Sequence, residues 1–72
     1  MPKLKDILYS ITKEDVWVVV YDIDGNFLFE GYSYDIIDQY AIDGYIVYGI
    51  YPRLANGDPE QILQVGWSMD HD

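Results

Sequence analysis

The chain has 72 residues, no cysteine and a formal net charge of −9, from 13 acids against 4 bases. Such a length supports one domain, and the absence of cysteine removes disulfides, thiolate-held zinc and thiol catalysis together. The charge sets aside a nucleic acid or an anionic membrane as direct partner, because their phosphates are repelled.

Half of the residues are apolar and 17 % are aromatic, unlike the composition of a disordered chain. A domain of this size buries only about 60 % of the surface its unfolded form exposes. Its core must therefore come from dense aromatic and β-branched packing, or from a partner subunit. Met1 to Asp6 is too polar for a signal peptide, and the longest strongly apolar run, Val16 to Tyr21, is too short to span a bilayer. The expectation is a cytoplasmic protein.

Leu4, Ile7, Leu8 and Ile11 stand at i, i+3, i+4 and i+7, which predicts one buried helix face fading by Ser10 to Thr12. Val16 to Tyr21 predicts a strand with Trp17, Val19 and Tyr21 on one side and Val16, Val18 and Val20 on the other. Apolar residues on both sides indicate an inner strand. Asp22 to Asn26 contains Asp-Gly and predicts a tight reversal into a second strand, Phe27 to Tyr32. Ser33 or Asp35 is positioned to cap a second helix carrying Ile36, Ile37, Tyr40 and Ala41 inward and stopping at Gly44. Tyr45 to Tyr51 predicts a third strand ended by Pro52, Arg53 to Glu60 a loop around Asn56-Gly57, and Gln61 to Trp67 a fourth strand before a polar tail.

The expected fold class is α+β, in the order α-β-β-α-β-β: a four-stranded antiparallel sheet with two short helices on one face. The other face then carries alternate residues such as Trp17 or Val16, Tyr45 or Tyr48, and Trp67 or Leu63. If it is apolar and open, a homodimer is the usual way to close it.

The charge is unevenly distributed. Between Lys13 and Arg53 no base occurs, while that stretch holds Glu14, Asp15, Asp22, Asp24, Glu30, Asp35, Asp38 and Asp43. Two readings stand: solubility charge, or an acidic binding face. Tyrosine is the second excess, with eight copies. Tyr32, Tyr34 and Tyr40 lie close in sequence to Asp35, Asp38 and Asp43, and mixed aromatic and acidic surface suits arginines that pair with carboxylates and stack on rings. A base-stacking platform for RNA or DNA interleaves its aromatics with lysine and arginine, and here the sign is opposite.

Chemical signatures are weak. Setting Gly25 at the sixth position of a calcium loop puts Asp24 at five and Asp22 at three, but Val20 at one and Gly31 at twelve, so the register fails and the run reads as a hairpin turn. His71 is the only histidine and lies beside the C-terminal residue between Asp70 and Asp72, a poor place to hold a base. No nucleophile elbow, His-x-x-x-His or phosphate-cradling glycine loop occurs. Glu30 is the least ordinary carboxylate, set among strand aromatics, yet an outward-facing strand residue explains it. The expectation is no enzyme, no metal and no cofactor.

Leu4-Lys5-Asp6-Ile7-Leu8, Val16 to Asp22 and Asp24 to Gly31 together resemble a loose family of small acidic proteins encoded by phages and mobile elements of low-GC Gram-positive bacteria. The resemblance covers the first half of the chain. Some small acidic phage proteins of this size act against host defence, including anti-CRISPR inhibitors, and by that class analogy the resemblance implies an inhibitor without assigning site residues. The combined expectation is a non-enzymatic interaction protein docking on a basic surface of another protein, and acting by charge mimicry where that surface holds a nucleic acid. Its docking residues would be Asp22, Asp24, Glu30, Tyr32, Tyr34, Asp35, Asp38, Tyr40 and Asp43. The alternatives are a homodimeric structural domain, and a small metal binder or enzyme.

Overall fold

The computed structural model describes residues 1–67. In chain order these form α1 (Leu4–Ser10), β1 (Trp17–Asp22), β2 (Phe27–Tyr32), α2 (Ser33–Gln39), β3 (Tyr45–Ala55) and β4 (Asp58–Trp67). The class is α+β, with the element order expected. His71 and the polar tail lie outside the described residues. No described helix is long and apolar enough to cross a membrane.

The sheet order is β2-β1-β4-β3, so the apolar strand β1 is indeed an inner one. β1 pairs β2 antiparallel and β4 pairs β3 antiparallel, but β1 and β4 run parallel. The sheet is therefore mixed where a wholly antiparallel one was expected. The cause is α2: a helix that leaves the end of β2 and runs back along the sheet returns the chain to the end where β2 began. β3 then points the same way as β2, and the hairpin partner of each must also agree in direction.

Both helices cover one face. Leu4 and Leu8 of α1, Ile36 of α2, Val18 and Val20 of β1, and Leu63 and Val65 of β4 are fully buried there, with Phe29, Ile42 and Val47 nearly so. The N-terminal segment closes part of the β3 edge, where the Val47 N–H donates to the Pro2 carbonyl at 2.8 Å and Lys3 bridges Ile46.

Three expectations change in the second half. α2 stops at Gln39, so Tyr40 and Ala41 lie outside it and are exposed, and Ile42 takes the inward position. Extended backbone at Tyr40 (φ −125, ψ 146) makes that shift. Neither proposed cap acts as one: Tyr32 holds the N-cap position without a side-chain bond, and Ser33 is the first helical residue, fully buried, with its Oγ unpartnered. Pro52 does not end β3, and Arg53 to Glu60 is not a loop. β3 is an edge strand, where a missing N–H is tolerated. The ladder continues to Ala55↔Asp58, leaving Asn56-Gly57 as a two-residue turn with φ of 53 and 84, the combination a tight primed turn demands. A strand of 11 residues spans about 36 Å, and the hairpin accounts for the 39 Å long axis of the molecule.

Leu63→Ala is expected to cost about 2–5 kcal/mol of stability. Ser33→Ala is expected to gain about 1 kcal/mol, since it removes a buried hydroxyl that has no partner. Urea-denaturation midpoints measure both.

Candidate functional site

Strand alternation and register assign the face that no helix covers. One row across it is Tyr32–Trp17–Glu60–Arg53, the next Glu30–Val19–Ile62–Tyr51, and a third joins Phe27, Tyr21, Gln64 and Gly49. Val19 is only 4 % exposed at its centre, while Phe27, Tyr48 and Tyr51 are each about half exposed. Two of these rings lie against the sheet because glycine lets them. A Cβ on Gly49 would stand 2.6 Å from the Tyr51 hydroxyl oxygen, and one on Gly66 would stand 2.5 Å from Tyr48 Cε2.

The polar groups on this face are tied to the rings. The Trp17 Nε1–H donates to Glu30 Oε1 at 2.9 Å, and Trp17 meets Tyr32 edge-on with centroids 5.1 Å apart. Tyr32 stacks on Tyr34, at the start of α2, at 5.6 Å and 7°. Arg53 donates through Nε and Nη2 to Glu60 Oε1. That hydrogen bond holds its guanidinium above the ordinary value, with the Glu60, Tyr21 and Glu30 charges adding to the effect. Desolvation first, then the Asp15 and Asp35 carboxylates, push the Tyr34 phenol up.

The nine residues singled out from the sequence do not form one surface. Glu30 and Tyr32 lie on the uncovered face, and Tyr34 and Asp35 border its Tyr32 end. Asp22, Asp24, Tyr40 and Asp43 belong to the opposite end of the strands, about 20 Å away for a six-residue strand. Tyr40 stacks on Phe29 on the helix side at 4.5 Å, Asp43 pairs with Lys5 at 3.7 Å, and Asp38 sits exposed on α2.

The Asp22 carboxylate is occupied by its own turn. Its Oδ1 accepts the Asp24 and Asn26 N–H groups at 2.9 Å each, and its Oδ2 accepts the Asn26 side chain at 3.1 Å. Among the described residues no group of three acidic or histidine side chains is arranged to hold a metal ion.

Outside the nine docking residues, this face and its border also hold Asp15, Trp17, Tyr51, Asp58 and Glu60. Asp58 and Glu60 come to the face through the stretch Arg53 to Glu60, a hairpin end where a loop was expected. The Asn56-Gly57 dipeptide is the signal: as a two-residue hairpin turn it extends both strands and sets Glu60 opposite Arg53, while the place of Glu60 beside Trp17 comes from the parallel β1–β4 pairing. Comparison of the chain with protein-family models, with curated proteins and with solved structures finds no match.

The hydrogen bonds to Asp22 lower its pKa below the ordinary 3.8, led by the Asn26 amide. A folded value below the unfolded one adds stability above 3.8 that is lost as pH falls through the folded value. Asp22→Asn keeps one acceptor and removes the charge. The stability gap between wild type and this variant is expected to be full at neutral pH and to close on acidification below 3.8, measured by thermal unfolding across pH.

Proposed function

We propose that this protein is a non-enzymatic interaction module whose uncovered sheet face docks on a basic surface of another protein. The observation that carries the reading is the composition of that face. Exposed tyrosine and phenylalanine rings lie across it, and the carboxylates of Asp15, Glu30, Asp58 and Glu60 stand against a single base, Arg53, among the described residues. Aromatic area with a polar tip supplies contact at low entropic cost. Net negative charge selects arginine and lysine on the other side and repels acidic surfaces.

Where the basic surface ordinarily holds a nucleic acid, occupation by this face excludes it, and the protein acts as an inhibitor by charge mimicry. A second copy is a poor occupant, because two chains of net charge −9 repel and this face is itself acidic.

The test uses a hexa-arginine peptide and isotope-labelled protein followed by NMR. Shifts are expected at Trp17, Glu30, Tyr51 and Ile62, saturable and weakening steeply with salt, since screening shortens to about 10 Å at 0.1 M. Glu30→Gln with Glu60→Gln is expected to weaken binding roughly ten-fold, and Asp38→Asn with Asp43→Asn by roughly two-fold or less. The protein is also expected to displace a fluorescent oligonucleotide from the peptide. Shifts confined to α2, or a dimer with this face protected in the absence of peptide, would sink the reading.

A further inference from the structure

Past the start of β1 the β3–β4 hairpin projects on its own, and the step between them forms a cleft of about 450 Å³. Its walls are Trp17 and Tyr32 on one side and the hairpin tip, with Asp58, Pro59 and Glu60, on the other, and Asp15 stands at its rim. We propose that this cleft seats a single arginine side chain of the docked partner, its guanidinium against the Trp17 and Tyr32 rings and its N–H groups on Asp15 and Asp58. The inference rests on the docking reading above and names the chemistry of its anchoring contact.

Four observations converge on a guanidinium. The two rings meet at 84°, so the corner offers π surface in two directions, the arrangement that holds a cation in a ring-lined recess. Both rings are fixed beforehand: Glu30 holds the indole by its N–H and Tyr34 backs Tyr32 in a parallel stack. Glu60, on the cleft wall, already binds a guanidinium from the chain itself, that of Arg53, which stands outside the cleft. Asp15 and Asp58, by contrast, make no ion pair among the described residues, and no lysine or arginine lines the cleft. A planar cation that stacks on rings and donates to two carboxylates fits this set better than a compact ammonium does. The volume lies within the range of small-ligand clefts.

The experiment titrates the labelled protein with N-acetyl-arginine amide, and separately with N-acetyl-lysine amide and N-acetyl-glycine amide at matched ionic strength. The expected result is a saturable shift of the Trp17 indole N–H and of the Asp58 amide with the arginine compound in the millimolar range. The lysine compound is expected to bind more weakly, and the glycine compound to produce no saturable shift. Asp15→Asn with Asp58→Asn is expected to weaken the arginine compound roughly three- to ten-fold. Both positions are exposed, so the variant keeps its fold, which an unchanged urea midpoint verifies. Linear shifts without saturation, shifts centred elsewhere, equal binding of the lysine compound, or an unaffected double variant each overturn the proposal. If the hexa-arginine peptide docks on the face while the single arginine finds no seat, the cleft assignment falls and the docking reading stands. If the single arginine seats and the peptide does not dock on the face, the docking reading falls alone.

Discussion

In the middle of the sheet β1 and β4 share a parallel ladder from Trp17↔Glu60 to Asp22↔Val65, and through it the two hairpins become one sheet. The buried aliphatic layer depends on that ladder, because Val18 and Val20 lie beside Leu63 and Val65 only in this register. The opposite surface depends on it equally. A shift of one residue would turn every side chain to the other face, sending Val20 and Leu63 to water and Glu60 into the core. One pairing thus sets the core and the uncovered face together.

The two faces solve different problems with different side chains. Under the helices, branched aliphatics fill a layer from which water is excluded. On the uncovered side, flat rings laid over Gly49 and Gly66 shield the backbone while staying about half exposed. Glu30 illustrates how the polar groups serve this arrangement. Its carboxylate fixes an indole and also contributes to the potential that a basic partner would meet. The Asp22 carboxylate, of the same charge, is spent entirely within its turn. Charge count alone does not distinguish such residues, whereas hydrogen-bond partners do.

What was legible in the sequence was local. The spacing of Leu4, Leu8 and Ile11, the alternation through Trp17, Val19 and Tyr21, and the Asp-Gly turn each report on a few neighbouring residues, and the structure has them as read. The direction of β4 against β1 depends on where a crossover returns the chain, which no window of neighbouring residues contains. Pro52 was misjudged because its cost depends on being in a central or an edge strand, again a property of the whole sheet. The uncovered face follows the same division. Glu30 and Tyr32 were visible as strand residues of mixed character. Asp15, Asp58 and Glu60 came into view only once distant segments were set side by side. The acidic run from Glu14 to Asp43 looked like one surface, yet the sheet separates its members onto both ends and both sides.

The inner position of β4 also governs how the domain can assemble. β4 is the last strand among the described residues, and its neighbour β1 precedes it by 43 positions at the Trp17↔Glu60 pair. The first hairpin can form early, but its inner strand keeps an unsatisfied edge until β4 arrives, and closing so long a loop has an entropic cost that local contacts do not offset. Until then Val18 and Val20 are exposed beside a free strand edge, the condition under which chains join one another instead of themselves. The many carboxylates between Glu14 and Asp43 keep such half-made chains apart by repulsion. The acidity of this segment therefore also opposes self-association of the incompletely folded chain.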